Sequence, residues 1–297
     1  MLFPVAGVEV NPFWPFLVAF LVSLCSSLGG VSGAFLLLPY QVSILGFQSP
    51  AVSSTNLLYN LVAIPGGVAR FVREGRMLWP LAGWLVGGLA PGICLGVVAR
   101  VLFLPDPRAF KLFVGLVLLL VGLRLALDLL RPSASGKRPA GSPPTRVLRS
   151  DWRRVEFTDL DTNYHFDPLK IALLGLIMGV ISGAYGIGGG AILAPLLVSM
   201  FRLPVHAIAG ATLASTFAAS IIGIPVYCWI APLFARDGAP AGPDWLLGLV
   251  LGAGGMLGIY LGARFQRLVP ASWIKALLVL VVLAVSVRYI AQFQGAP

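Results

Sequence analysis

Two glycine clusters hold the residues in this sequence best suited to chemistry. In SGAYGIGGGAILAPLL, Gly183, Gly186, Gly188, Gly189 and Gly190 fall within eight residues, and Pro195 closes the run. Successive glycines let backbone N–H groups converge on an anion, and a helix restarting after them adds partial positive charge at its first turn. A weaker copy, SSLGGVSGAFLLLP, lies 156 positions earlier, with Ser26, Gly30, Gly33 and Pro39 opposite Ser182, Gly186, Gly189 and Pro195. Ser32 and Ala34 stand there in place of Gly188 and Gly190. At the same offset Asn56 and Asn60 match Thr212 and Thr216, each pair four residues apart and so on one face of a helix. With Gly33, Gly188, Gly189 and Gly190 they form a candidate substrate-binding set. The competing reading is structural: small residues let helices pack closely in lipid, and polar ones hydrogen-bond between helices at about 0.6 kcal/mol each.

What is missing also points to an anion. All eleven acidic residues lie in loops, tails or at the ends of apolar blocks, so no carboxylate occupies the middle of a span. A cation transporter or a carboxylate proton relay would place one there. Arg70, at the inner end of the second apolar block, either draws anions to the cytoplasmic mouth or snorkels as an anchor. Cys25, Cys94 and Cys228 are isolated, with no C-x-x-C spacing, so no metal, redox motif or other cofactor is implied. The glycine run superficially matches G-x-G-x-x-G, but nucleotide binding by that motif needs a βαβ unit in water.

The elements that position these residues are membrane spans. The chain has 297 residues, 58% hydrophobic and only 11% charged, against roughly 25% charged in soluble domains. Eight apolar blocks run over 13–46, 51–71, 78–104, 110–130, 168–203, 206–233, 244–268 and 271–293, long enough to make the protein a polytopic helical membrane protein. The formal charge of +10 then reflects basic cytoplasmic loops rather than nucleic-acid binding. The first ten residues lack Lys and Arg and do not read as a signal peptide.

Blocks one and five are too long for one span of about 20 residues and break at their glycines. Each reads as a hairpin of two helical pieces entering and leaving on one side. The fold expected is all-α: a first transmembrane repeat over 1–130, a linker over 131–167 and a second repeat over 168–297. Each repeat is a broken-helix hairpin plus three spanning helices, and three crossings per half make the repeats inverted. Lys111 and Arg124, 13 apart, are echoed by Lys275 and Arg288, and Arg100 and Arg264 close blocks three and seven at an offset of 164. The linker opens as a Pro/Ser/Gly-rich disordered stretch, and its charged second part reads as a short surface helix.

SGAYGIGGGAILAPLL, its degenerate copy and TNLLYNLVAIPGGVARFVREGRM together resemble the TauE/SafE family of sulfite and organosulfonate exporters. The resemblance implies secondary transport of a small sulfur-containing anion across a bacterial inner membrane, with the glycine hairpins and the blocks after them as the substrate site. The expected function is therefore anion export by alternating access, with the lipid bilayer and the anion as partners. Import of another sulfur anion such as thiosulfate is the nearest alternative. A membrane-embedded enzyme would need a buried acid, base or metal set that the sequence lacks.

With both termini outside, only Arg100, Arg108, Lys111, Arg236 and Arg288 face outward, leaving the other sixteen of the 21 Lys and Arg on the cytoplasmic side. A single cysteine placed in the linker of a Cys-free variant is expected to react only with reagents admitted to the cytoplasm. Its labelling from the periplasm would overturn this orientation.

Overall fold

The structure, a computed structural model, describes residues 1–28, 33–130, 145–159, 162–234, 240–265 and 271–294. The first-half glycines at 29–32 and the Pro/Ser/Gly-rich stretch at 131–144 lie outside the described residues. Helices follow the apolar blocks, and the two long blocks divide at their glycines. The first becomes α1 (Phe13–Leu28) and α2 (Ala34–Ser43), and the fifth becomes α7 (Pro168–Tyr185) and α8 (Gly190–Phe201). The second block divides at Pro65 into α3 (Ala51–Ala63) and the short, unburied α4 (Pro65–Arg73). Proline lacks an N–H and sits comfortably only in the first turn of a helix. The remaining long helices are α5 (Trp79–Phe103), α6 (Pro107–Leu130), α9 (Val205–Pro225), α11 (Trp245–Phe265) and α12 (Ala271–Gln294). Beyond Pro225 the α9 segment continues through a π-helical turn (Val226–Ile230) into α10 (Ala231–Phe234).

Six helical stretches among the described residues are long and apolar enough to cross a membrane: Trp79–Phe103, Pro107–Leu127, Pro168–Tyr185, Ala207–Phe234, Trp245–Gly262 and Ala276–Phe293. The protein is thus an all-α polytopic membrane protein with only small sheets. One span, Pro168–Tyr185, is the first piece of the broken fifth block. At 18 residues and 1.5 Å per residue it reaches about 27 Å, close to the roughly 30 Å hydrocarbon thickness.

Glycine faces set the packing. Gly88, Gly92 and Gly96 of α5 lie against the backbone of Ala172, of Leu176 and Gly179, and of Val180 and Ala184 on α7. On α7, Gly175, Gly179 and Gly183 return the contact to Leu85, Leu89 and Ile93. A glycine at every fourth position is what brings two helix backbones together in lipid, where no hydrophobic driving force does so. The contacts advance in step, so α5 and α7 run in the same direction. Gly254, Gly258 and Gly262 of α11 lie in the same way against Phe16, Phe20 and Leu24 of α1. By contrast Gly115 meets Tyr289 while Gly122 meets Leu283, so α6 and α12 run in opposite directions. Gly223 of α9 meets Leu57 of α3, while Thr216 and Asn60 flank Gly188, so α3 and α9 also oppose each other.

The charged end of the linker is not a surface helix. β3 (Arg146–Ser150), β4 (Val155–Asp159) and β5 (Thr162–Phe166) form an antiparallel sheet in that order, with Val155 paired to Phe166 and Phe157 to Tyr164. The reason is in the pattern VEFTD, where apolar and polar residues alternate with the period of a strand. Val155, Phe157 and Phe166 are buried, and the Phe157 and Tyr164 rings stack at 5.6 Å. A second small hairpin, β1 (Leu2–Phe3) with β2 (Val8–Glu9), is fixed to the start of α11. Asp244 Oδ2 accepts from Val5 N and Ala6 N at 3.0 Å, and its Oδ1 caps α11 at Leu247 N.

If close backbone approach holds α5 to α7, a side chain there costs stability. Gly92→Val is expected to lose about 1–3 kcal/mol through overpacking. Gly87→Ala, whose added methyl meets nothing within 4 Å, is expected to be neutral. Thermal unfolding of both variants in detergent checks this, and equal midpoints would refute it.

Candidate functional site

The interruption between α7 and α8 is built from left-handed backbone. Gly186 has φ +85°, Gly188 +74° and Gly189 +84°, values that L side chains rarely adopt. Gly186 N closes α7 on Ser182 O at 2.7 Å, and Gly189 O opens α8 by accepting from Ile192 N and Leu193 N. The first amides of α8 have no intrahelical acceptor, and the N-cap Gly189 offers them no side chain. Gly186 presses on the backbone of Ser53, so a methyl there would collide with α3. Gly188 lies between α3 and α9, where an added methyl would sit 3.2 Å from Asn60 Nδ2 and from Thr216 O. Gly189 faces only Leu193 and Leu89, at 3.4 and 3.8 Å, so its requirement is conformational. Gly190 is the first residue of α8.

In the first half, Gly33 has an ordinary right-handed φ of −70° as the N-cap of α2. It is a close-approach glycine rather than a turn glycine, since an added methyl would lie 3.2 Å from both Ser23 Oγ and Tyr59 Oη. Those two hydroxyls share a hydrogen bond of 2.7 Å.

The four symmetry-placed polar residues divide into different roles. Asn56 is fully committed to the protein. Its Nδ2 donates to Ala34 O at 3.0 Å and Gly186 O at 3.1 Å, and its Oδ1 accepts from Gln41 Nε2 at 3.4 Å. It thus joins the start of α2 to the end of α7. Tyr185 Oη makes a second tie by donating to Phe35 O at 2.8 Å. Asn60 is the opposite case: wholly buried, with neither Nδ2 nor Oδ1 partnered. Thr216 flanks the same glycine and donates its hydroxyl to Thr212 O at 2.9 Å. Thr212, one turn away and 5% exposed, donates to Ala209 O. Ser182 Oγ, a turn before the interruption, is buried and unpartnered, as is its counterpart Ser26 Oγ on α1. A buried polar group left unpaired costs about 1–3 kcal/mol, so each of these atoms is one that a bound partner would satisfy.

Arg70 is not part of this cluster. It lies on exposed α4, paired with Glu74 at 2.7 Å, and α4 rests on α9 where Phe71 meets Gly210. A buried cation lies elsewhere on α5, one that the reading of block ends left outside the membrane core. Arg100 is fully buried. Its Nη1 donates to Leu104 O at the end of its own helix, and its guanidinium lies 3.7 Å from the centre of the Phe110 ring. Nε and Nη2 have no partner, and no ion pair with a carboxylate involves it among the described residues.

One turn beyond Gly96, which touches Ala184 N, Arg100 lies past the end of α7, eleven residues along α5 from Leu89, the residue that faces Gly189. Tyr227, in the π-helical turn, is its electrostatic neighbour and donates to Gly183 O at 2.6 Å. The signal was in the sequence: Arg100 continues the four-residue series of Gly88, Gly92 and Gly96. Arg264 does not correspond to it. The matching series on α11 is Gly254, Gly258 and Gly262, 166 positions on, which leaves Arg264 two residues out of register and exposed beside Tyr260.

Asn56→Leu is expected to lower the unfolding temperature sharply, because it strands the Ala34 and Gly186 carbonyls. Asn60→Leu removes two unpaired atoms and is expected to leave stability unchanged or higher while abolishing anion binding. A thermal-unfolding series with and without sulfite separates the two; a stability loss in Asn60→Leu equal to that in Asn56→Leu would contradict the assignment.

Comparison with known proteins places the chain as follows. A family model described as "Sulfite exporter TauE/SafE" matches residues 15–289. The chain is 27% identical over 267 residues to the probable membrane transporter protein y4hK of Sinorhizobium fredii, covering 87% of this chain and 90% of that one. It is 26% identical to the probable membrane transporter protein YjnA of Bacillus subtilis, covering 89% and 95%. A match of 26% identity to the probable membrane transporter protein MamO of Magnetospirillum gryphiswaldense covers 80% of this chain but only 38% of that protein. No solved structure matches.

Proposed function

The chain belongs to the TauE/SafE family, matched from residue 15 to residue 289, and on that premise we propose that this membrane transporter exports a small sulfur-containing anion, sulfite or an organosulfonate, across a bacterial inner membrane. The observation that carries the reading is the meeting of a left-handed glycine turn with an unpaired, fully buried amide: Gly188 beside Asn60 and Thr216. An oxyanion bound there would accept from Asn60 Nδ2 and from the uncapped start of α8, and the helix end adds partial positive charge. Among the described residues no carboxylate bonds Asn60, and the buried Asp244 caps α11.

The proposed mechanism is alternating access between inverted halves over 1–130 and 168–297. Its support is the exchange symmetry of the packing: α5 lies on α7 as α11 lies on α1, while α3 opposes α9 and α6 opposes α12 in direction. Inverted repeats generate two related conformations, one open to each side, around a site at their interface. In this assignment Asn60, Gly188, Gly189, Gly190, Thr212 and Thr216 line the site. Asn56 and Gly33 hold its frame, and Arg70 acts at the cytoplasmic mouth.

Purified protein in liposomes loaded with sulfite, methanesulfonate or thiosulfate is the decisive system. Efflux of sulfite or methanesulfonate above that from empty liposomes is expected. Movement of thiosulfate alone would favour the import alternative. Failure to move any sulfur anion, with another oxyanion moving instead, would overturn the substrate reading.

A further inference from the structure

We propose that the open edge of the linker sheet, Arg146–Arg154, docks on the anionic phospholipid surface beside the start of α7, with Leu148 and Trp152 set among the headgroups. The inference concerns a lipid surface and is independent of which anion is transported.

Three observations carry it. First, the stretch is uncovered and has the composition of an interfacial segment. Every residue from Arg146 to Arg154 is exposed, and RVLRSDWRR holds four arginines against one aspartate. Leu148 and Trp152 are 59% and 60% exposed, whereas Val155 and Phe157 on the next strand are buried. Arg149 pairs with Asp151 and Arg154 with Glu156, while Arg146 and Arg153 have no acidic partner among the described residues. The Arg153 guanidinium lies 4.4 Å from the centre of the Trp152 ring. Tryptophan is enriched at the membrane–water interface, and arginines clustered beside a span attract anionic headgroups.

Second, the register of the sheet puts this stretch where the chain enters the membrane. Ser150 pairs with Val155, and Val155 with Phe166. Neighbouring strands lie about 4.8 Å apart, so Ser150 is about 10 Å from Phe166, and the turn carrying Trp152 projects from that end of the sheet. Phe166 is two residues before Pro168, where the α7 span begins. Asp159 pairs with Thr162 at the opposite end. The level is marked independently by exposed Trp79, the first residue of α5. Trp79 lies nine residues before Gly88, and Pro168 four before Ala172, which Gly88 meets, so α5 reaches about 7.5 Å further than α7 on the side of the sheet. With both termini outside, that surface is the cytoplasmic one.

Third, the edge resists the other occupant that an open strand invites. β3 is an edge strand, but its ladder is irregular between Val147 and Arg149, and arginines stand on either side of Val147 and Leu148. Bulges and charged side chains are how edge strands refuse an added strand, so this surface fits a headgroup layer rather than a peptide.

The test uses the full chain with Cys25, Cys94 and Cys228 replaced by alanine and an environment-sensitive nitrobenzoxadiazole dye attached through Leu148→Cys. A second variant carries the dye through Thr162→Cys, at the far end of the sheet. Each is placed in liposomes of phosphatidylcholine alone or with an equal part of phosphatidylglycerol, with and without lipid spin-labelled at its headgroup. In the mixed bilayer the dye at Leu148→Cys is expected to shift to the blue and to be quenched by the spin-labelled lipid, and to do both less in phosphatidylcholine alone. Raising salt to about 1 M, where the screening length is about 3 Å, is expected to remove that difference. Adding Arg146→Gln and Arg153→Gln together is expected to reduce it at low salt. At Thr162→Cys the emission is expected to stay that of the dye in water. Water-like emission from Leu148→Cys in the mixed bilayer would overturn the proposal. A blue shift that the spin-labelled lipid fails to quench would also overturn it, since a protein surface then covers the edge. Equal shifts in both bilayers would remove the anionic headgroup as the partner, and an equal shift at Thr162→Cys would remove the Trp152 end as the docking surface.

Discussion

Inside a bilayer every backbone polar group must find its partner in the protein, and a broken helix is tolerated only when the break is enclosed. That constraint governs this structure. The α7 interruption is satisfied by side chains from other helices: Asn56 reaches the Gly186 carbonyl, Ser53 the Ala184 carbonyl and Tyr227 the Gly183 carbonyl. The same Asn56, with Tyr185, also serves the first carbonyls of α2. The two interruptions therefore stabilise each other, and neither half provides all the partners of its own break. The glycine faces on α5 and α7 are needed for the same reason. They allow the close approach that puts Ser53, Tyr227 and Arg100 within reach of the end of α7.

Against this background of paired carbonyls, the unpaired groups stand out. Asn60, Ser182, Ser26 and two nitrogens of Arg100 are enclosed as completely as Asn56, yet they bond nothing. A protein that satisfies its awkward carbonyls with dedicated side chains has the means to satisfy an amide or a hydroxyl. Asn60, left open beside Gly188, fits a role in which the partner arrives from solution and leaves again. The division between Asn56 and Asn60, one turn apart on one helix, shows how the frame of a site and its binding surface can share a single face.

The helical content, the eight blocks and the breaks at glycine were legible in the sequence, because hydrophobic run length and glycine clustering are local signals. The pairing of Asn60 with Thr216 across Gly188 was legible too, through the internal repeat. Other features were hidden for definite reasons. The β3–β5 sheet lies in a charged segment whose period-two pattern spans only five residues per strand, too short to stand out against a surface-helix pattern. Arg100 sits three residues from the end of α5, where arginines usually reach for water, and only its register on the glycine face places it indoors. The role of Asn56 could not be separated from that of Asn60, because composition and spacing say nothing about which carbonyls lie opposite. The left-handed turn at Gly188 and Gly189 likewise has no equivalent at Gly33, although the two halves align there.

The packing registers of the halves also differ in a telling way. α1 and α7, and α3 and α9, correspond at 156 positions, whereas the glycine faces of α5 and α11 correspond at 166. Ten additional residues thus separate α9 from α11 relative to α3 and α5, and the π-helical turn and α10 fall in that stretch. Descent from a duplicated ancestor could change length there while every glycine contact on either side stayed in step. The end of the Ala207–Phe234 span is therefore the seam where the second half took up its extra length, and the turn it carries brings Tyr227 to the Gly183 carbonyl.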